Sequence, residues 1–452
     1  MMKKSIDIGR DSLLGLFFYF FIPNLCAMLA LSTYSTVDGI FVGKAIGPQA
    51  LAAIGVCWPV FPVLIAFELL FGMGAASIAS YYLGKGQEYR ARLMFSSVCY
   101  FAGISSIIFG IILCIFVEDI AFALGANDEI LPFVIDYLRI IFLGSFIIVL
   151  HPLLDIFVIN DKRPILAMSA MIIGSLVNIV LNYLFLFVFE FGIAGSAGAT
   201  IIGHFLGMCI LLSHFILKRG KIYFIKSFNL SFIFASARNG VPLSFSELSV
   251  SYVMMLVNNK LENLGGTDAL AIYSILMYSG IVIFTIILSC AEGLQPIASF
   301  NYGAKQIDRV KRIYKLIVVF ASICGISLWI GFVLFDSVIA GLFLSRGENS
   351  LDLLEQTTNA MHIYFLGYIF LGLNLVSSIF LQAIQRPISS FIITLCTNLL
   401  FMVVFVNVLS VYFGINGIWA SYPISLICAS IVSLCVIYYE FKYGALCVKN
   451  KV

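Results

Sequence analysis

Apolar residues run almost unbroken along this chain, and short polar segments interrupt them at near-regular intervals. The apolar runs occupy roughly 12–36, 51–81, 93–117, 131–158, 165–189, 194–217, 238–258, 269–300, 313–335, 359–383, 388–413 and 415–439. Each is long enough for a helix to cross a hydrocarbon layer, which takes about 20 residues. A membrane β-barrel would show alternating segments of about ten residues instead. A helix satisfies all its backbone groups within one segment, so each run predicts a transmembrane helix. The expected fold is an all-α polytopic membrane protein with twelve transmembrane helices.

The pattern also repeats. Ile22-Pro23 recurs as Val241-Pro242, and Ala50-Leu51-Ala52 recurs at the same offset as Ala269-Leu270-Ala271. Ile78-Ala79-Ser80 matches Ile297-Ala298-Ser299, and Gly84, Gln87 and Arg90 match Gly303, Gln306 and Arg309. At nearly the same spacing, Phe142-Leu143-Gly144 pairs with Phe365-Leu366-Gly367, Arg163-Pro164 with Arg386-Pro387, and Phe191-Gly192-Ile193 with Phe413-Gly414-Ile415. Each repeat holds an even number of spans, so both enter the membrane from the same side. That predicts two six-helix bundles related by a pseudo-two-fold axis along the membrane normal. The expected division is an N-terminal bundle over 1–217, a basic cytoplasmic linker over 218–238 and a C-terminal bundle over 239–452. Paired bundles of this kind suit a transporter, since rocking one against the other alternates access.

Composition agrees with the pattern. The 452 residues are 62% hydrophobic and 11% charged, where a soluble domain is about 45–50% apolar and about 25% charged. A soluble enzyme, a nucleic-acid binder and a disordered chain are excluded. A net charge of +3 suggests no anionic partner. With the N-terminus in the cytoplasm, all but four of the 26 Lys and Arg residues fall on the inner side, the exceptions being Lys44, Arg139, Lys260 and Arg346. The bias of basic residues towards the inside therefore predicts that both termini are cytoplasmic. The polar start with Lys3, Lys4 and Arg10 leads into an apolar run without a small-residue cleavage site, which reads as a retained first span.

Most cysteines sit inside apolar runs (Cys57, Cys99, Cys114, Cys209, Cys324, Cys428) and read as small buried apolar side chains. The four histidines, His151, His204, His214 and His362, lack metal-ligand spacing and read as structural. No phosphate-binding loop is present, so ATP is not expected to drive this chain.

The chemistry is expected where polarity is expensive. An ionisable group in the apolar layer costs about 2.5–3.5 kcal/mol on insertion scales and marks a functional site by default. Five acids in or beside the runs stand out: Asp38, Glu68, Asp155, Glu247 and Glu292. No Lys or Arg lies deep enough to pair with them. Such a carboxylate can hold a proton or a cation, and either behaviour couples it to a gradient. Glu247 follows Pro242 and has Ser244, Ser246 and Ser249 nearby; the alternative is a protonated Glu bonded across helices. Asp38 lies near the outer end of its span, where a headgroup-level acid is equally ordinary. Asp155 is expected to reach the interface, and Glu292, before Gly293 and Pro296, to serve either a helix break or transport. Asn178 and Asn182 share one helix face, where paired amides either glue helices or line a cavity with Thr200. Pro23, Pro59, Pro62, Pro152, Pro242, Pro296 and Pro423 interrupt spans; Pro23 and Pro242 stand out as candidate hinges because the repeat keeps both.

Several ordered motifs carry a family resemblance. They are Val37-Asp38-Gly39 with Gly43, Gly47-Pro48-Gln49-Ala50-Leu51-Ala52-Ala53, Gly72-Met73-Gly74, and Ala79-Ser80 with Gly84. Asn178 and Asn182, then Gly192-Ile193-Ala194-Gly195 and Ala199-Thr200, and finally Gly240-Val241-Pro242 with Glu247 complete the set. Together they resemble the multidrug and toxic compound extrusion (MATE) family over nearly the whole chain. The resemblance implies a cation-coupled antiporter, driven by Na⁺ or H⁺, that exports small amphipathic and often cationic compounds. It implies a coupling site at Asp38, Asn178, Asn182 and Thr200, the same residues being the candidate Na⁺ ligands, with Glu247 as the acid of the second lobe. Many relatives have Asp where this chain has Asn182, which leaves the site one negative charge fewer. The tenth span offers Tyr368 and Asn374 in place of a carboxylate, and these join Glu68 and Glu292 as candidates for a further polar cavity. No cofactor beyond the coupling ion and no nucleic acid are expected, and the chain is expected to act as a monomer in the lipid of a prokaryotic plasma membrane. The alternatives are a lipid-linked saccharide flippase of the same superfamily, which would need a deep Arg, or another six-plus-six carrier.

Overall fold

A computed structural model describes residues 7–46, 48–124, 126, 130–341, 350–444 and 446. Every regular element among them is helical. In order these are α1 (Leu13–Ala45), α2 (Pro48–Cys57), α3 (Val60–Gly84), α4 (Glu88–Ile115), α5 (Val117–Ala123), α6 (Leu131–Leu143), α7 (Ser145–Asn160) and α8 (Pro164–Tyr183). Then come α9 (Gly192–Ile216), α10 (Leu230–Gly303), α11 (Ile307–Leu334), α12 (Asp336–Gly341), α13 (Ser350–Phe365), α14 (Tyr368–Ala383), α15 (Pro387–Leu395) and α16 (Phe401–Lys442). Single π-helical turns, Leu184–Val188 and Cys396–Leu400, follow α8 and α15.

Ten of the helical stretches are long and apolar enough to cross a membrane. The pair α6 and α7, bent by 51°, makes an eleventh. The stretch Pro387–Lys442 breaks at Gly414, whose φ of 60° and ψ of −136° no helix contains. Counting its two parts separately gives the twelve spans expected from the runs. Outward faces are apolar too: Ile104, Ile107, Ile108, Ile111, Ile112 and Ile115 form an exposed helical stripe along α4, as expected of a surface that meets lipid.

The repeat is written into the backbone. Gly86 and Lys305 both have positive φ (73° and 60°), as do Lys162 and Gln385 (68° and 63°) and Gly192 and Gly414 (63° and 60°). Each pair occupies equivalent places in the two sequence repeats. Where the first repeat places glycine at Gly86, the second accepts the left-handed strain on Lys305.

The chain divides into two compact units. One comprises residues 1–7 and 22–247, the other 8–21 and 248–452. The boundaries fall just before Pro23 and just after Glu247. In the first unit Phe95 packs on Phe215, Phe157 and Phe224 with ring centroids 4.4, 4.9 and 4.7 Å away. In the second, Tyr364 stacks on Tyr422 at 4.3 Å beside Phe365 and Tyr368.

The basic segment after α9 is strapped along the first unit. Asp161, 7% exposed, accepts from the backbone N–H groups of Lys221 (2.9 Å) and Ile222 (3.3 Å) and contacts His214 Nε2 at 2.8 Å. Arg92 Nε donates to the Lys221 carbonyl at 2.8 Å. The N–H groups of Ile225 and Asn229 donate to Ser96 Oγ and Ser97 Oγ, each at 2.9 Å. The second unit holds the segment before α1 in a similar way, for Arg309 donates to the carbonyls of Ile8 (3.0 Å) and Asp11 (2.8 Å). Gln87 and Gln306, matched in the repeat, precede α4 and α11 with nearly the same dihedrals.

Three expectations need correction. Asp155 is buried rather than at an aqueous interface, because α7 turns it inward along with Leu154 and Val158. Gly293 and Pro296 lie within the continuously helical span Ile275–Gly303, the second of the two spans in α10, so Glu292 accompanies no helix break; Gly293 instead permits close packing against the Phe21 backbone. Cys209 is exposed on α9 rather than buried, while Cys57 and Cys99 are buried as expected; all described cysteines are free.

Candidate functional site

The site in the first unit is assembled by α1, α8 and α9. Helices α8 and α9 cross at Gly174 and Gly203, where a Cβ on either residue would lie 2.8 Å from the other's carbonyl oxygen. Glycine at both positions is what allows this approach. It brings the Asn178 side chain against the first half of α9, where Asn178 Nδ2 donates to Thr200 Oγ1 at 3.2 Å. One turn along α8, Asn182 Nδ2 donates to Asp38 Oδ1 of α1. The Ser196 hydroxyl donates to the same carboxylate oxygen at 2.7 Å.

All five side chains are buried: Asp38 is 8% exposed, Thr200 6%, Asn178 2%, and Asn182 and Ser196 0%. The Asp38 carboxylate is thus met by neutral donors. The amide oxygens of Asn178 and Asn182 are buried and accept no hydrogen bond among the described residues. A buried polar atom left unpaired costs about 1–3 kcal/mol, so two of them beside a carboxylate are informative. A carboxylate, two amide oxygens and a hydroxyl make an all-oxygen donor set suited to a hard cation. The carboxylate alone suits a proton. These residues therefore fit either coupling ion.

Ser196 is the member that sequence reasoning missed. Its signal was present: it precedes Thr200 by four residues and so shares that helix face.

The other candidates lie elsewhere. Glu68 is buried on α3, where a Cβ at Gly72 would collide with its carboxyl oxygen. Glu247 is half-buried and ends the first unit, with Ser244 and Ser246 half-buried beside it. Pro23 is buried within α1 and Pro242 within α10. Glu292 is half-buried in the second unit. Tyr368 lies in the tyrosine cluster of that unit. Asn374 bridges helices with both ends of its amide, donating to the Leu426 carbonyl at 3.0 Å and accepting from Ser433 Oγ at 2.7 Å. The second unit thus answers the acid–amide cluster of the first with aromatic rings and interhelical bonds.

The MatE family profile matches this chain twice, over residues 23–184 and 242–408. The chain belongs to the MatE family. The two matches begin at Pro23 and Pro242, the offset found in the sequence repeat. The chain is 24% identical over 432 residues to the multidrug export protein MepA of Staphylococcus saprophyticus, covering 92% of each chain. It is 23% identical over 427 residues to MepA of Staphylococcus aureus, again with 92% of each chain covered. Among solved structures, an outward-facing multidrug resistance MATE family transporter superposes with a TM-score of 0.91 at 23% identity, covering 99% of both chains. A superfamily transporter from Pyrococcus furiosus superposes equally well, with TM-score 0.91, 23% identity and 99% of both chains covered. This MatE chain is accordingly an integral membrane protein with the MATE fold, and its family is one of transporters rather than enzymes.

Proposed function

We propose that this MatE protein is a cation-coupled antiporter that exports small amphipathic, often cationic, compounds by alternating access between its two lobes. The observation that carries the reading is the buried Asp38 carboxylate, held by Asn182 and Ser196 and flanked by two unpartnered amide oxygens. A negative charge in this place is costly unless a proton or cation joins it, and moving one charge through 100 mV is worth about 2.3 kcal/mol. Asp38, Asn178, Asn182 and Thr200 hold the coupling ion, with Na⁺ or H⁺ the candidates, and Glu247 serves as a second acid. The relatives named for multidrug export support the substrate class. Both termini lie in the cytoplasm of a prokaryotic cell, the chain works as a monomer in the plasma membrane, and Pro23 and Pro242 act as hinges.

The test is efflux of a fluorescent organic cation from proteoliposomes under an imposed Na⁺ or H⁺ gradient. Gradient-dependent efflux is expected, and its loss in Asp38→Asn with normal insertion would place the coupling there. Equal efflux with and without either gradient would overturn the reading. Translocation of a lipid-linked saccharide without cation efflux would favour a flippase.

A further inference from the structure

The second unit holds a pocket of about 390 Å³ that the coupling reading leaves unused. One wall is a single face of α10, since Leu256, Asn259, Lys260, Asn263 and Leu264 follow the i, i+3, i+4, i+7, i+8 pattern. The other wall is Ser410 and Val411 of α16. Another face of α10 anchors the helix, for Val253, Val257 and Leu261 are buried in the core of the unit. The volume lies within the about 300–1,000 Å³ of small-molecule sites.

The depth of the pocket follows from where the two helices stop. The first span of α10 closes at Gly265 and the first part of α16 turns at Gly414. Lys260, Asn263 and Ser410 therefore lie in the last turns before those ends. Tyr412 (77% exposed) and Phe413 (66%) stand just beyond, as aromatic side chains do at the level of lipid headgroups. From the pocket an apolar strip runs back into the span, where Val411, Val408 and Val404 are exposed along one face of α16. Leu256 forms the deep end of the α10 wall. The pocket thus has a polar end at headgroup depth and an apolar track at acyl-chain depth.

The polar end carries one sign. Lys260 is half-buried and brings the one formal charge among the described lining residues, so it repels an organic cation and attracts an anion. Asn263 Nδ2 uses one N–H on the Asn259 carbonyl at 2.6 Å and keeps a second. Ser410, 6% exposed, donates to the Asn407 carbonyl at 3.2 Å, which leaves its oxygen as an acceptor. An ammonium with amide donors suits a phosphate. Amide and hydroxyl oxygens beside it suit a hydroxylated group attached to that phosphate.

We propose that this pocket is a binding site for an anionic glycerophospholipid with a hydroxylated headgroup, its phosphate on Lys260 and an acyl chain along Val408 and Val404. Its place in the outer leaflet rests on the reading that both termini are cytoplasmic; the ligand class does not. A choline headgroup would bring a trimethylammonium beside Lys260 and meet no acid among the described lining residues, so a zwitterionic lipid fits worse.

The test uses the intact protein in a neutral detergent, titrated separately with phosphatidylglycerol, phosphatidylcholine and inorganic phosphate. Native mass spectrometry counts the retained lipid, and thermal melting reads the stabilisation that a ligand of the folded state confers. Retention of phosphatidylglycerol is expected, with phosphatidylcholine weaker by about tenfold. Lys260→Gln is expected to weaken phosphatidylglycerol by about tenfold, the scale of a lost charge-assisted hydrogen bond. Val411→Trp, at an exposed position, keeps the charge but fills the mouth and is expected to displace the lipid as well. Lys44→Gln removes a basic residue outside this pocket and should change nothing. Equal weakening by Lys260→Gln and Lys44→Gln would mean diffuse charge attraction and overturn the site, as would equal retention of the two lipids. A Lys260-dependent shift with inorganic phosphate alone would overturn the lipid assignment in favour of a soluble anion. Neither readout involves transport, so the coupling reading stands or falls by its own efflux test.

Discussion

Ser196 donates its hydroxyl hydrogen to Asp38 across 2.7 Å, joining α9 to α1 at a carboxylate that is 8% exposed. The contact ties the one acid of the cluster to a side chain that no motif singled out. Hydrogen bonds to a charged group are worth about 1.5–3 kcal/mol. Ser196→Ala is therefore expected to lower gradient-driven efflux by about ten- to a hundredfold, and Ser196→Thr, which keeps the hydroxyl, to retain most of it. Proteoliposome efflux with matched protein insertion measures both; wild-type rates in Ser196→Ala would remove Ser196 from the site.

The two candidate coupling acids have separate tests. Asp38→Asn and Glu247→Gln keep size and hydrogen-bonding capacity while deleting the charge. Each is expected to abolish gradient-driven efflux and leave the protein inserted and folded, as read by size-exclusion and thermal melting. Full transport by both variants would refute the coupling assignment.

The crossing of α8 and α9 depends on missing side chains. A methyl group at Gly174 would meet the Gly203 carbonyl oxygen at 2.8 Å, and the reverse holds at Gly203. Overpacking of this kind costs about 1–3 kcal/mol. Gly174→Ala is expected to lower the melting temperature in detergent by several degrees and to weaken transport, since Asn178 and Thr200 are drawn apart. Gly331→Ala, where a Cβ meets nothing, is the control and should be silent.

The strap on the first unit predicts a protease phenotype. Lys218, Arg219, Lys221 and Lys226 are trypsin sites, and Asp161 holds the middle of the segment through two backbone N–H groups. Asp161→Ala leaves those N–H groups and His214 without their acceptor, a loss of about 1–3 kcal/mol for each buried group left unpaired. Wild-type protein should resist limited trypsin at this segment and Asp161→Ala should be cut there quickly, giving two fragments of similar size.

Asp336 lies outside the spans and pairs with a histidine. Asp336 contacts His362 Nε2 and accepts from the Ser337 hydroxyl, each at 2.8 Å, and from the Ser337 N–H. Burial is the largest single influence and pushes its carboxyl upward, but the bonds from Ser337 and His362 together outweigh it and hold the group below its ordinary value. A depressed carboxyl stabilises the fold above the unfolded-state pKa, about 3.9, and the benefit fades as pH falls through the lower folded value. The pair is largely exposed, so the effect is about 0.2–1 kcal/mol. Asp336→Asn should melt slightly lower than wild type at pH 7, and the difference should shrink towards zero near pH 3.

What the sequence determined by itself was everything set by solvent and by local geometry. Lipid demands long apolar helices, so the twelve spans stood in the runs, and even the split at Gly414 was present as a repeat of Gly192. The repeat offsets matched Gly192 to Gly414, and the structure gives both a positive φ, because a turn needs particular residues at particular places. The i, i+4 spacing put Asn178 and Asn182 on one face in the same way. Only the tertiary structure decided which polar residues meet. Asp38 lies 158 positions from Ser196 and His151 lies 53 from His204, and helix periodicity carries no information across such distances. It offered Asn374 only as a cavity candidate until its partners on α16 were seen, and it could not foresee that α7 turns Asp155 inward. A helix face is written in its own residues; what covers that face is decided by packing, where Gly174 and Gly203 let two backbones close together over the site.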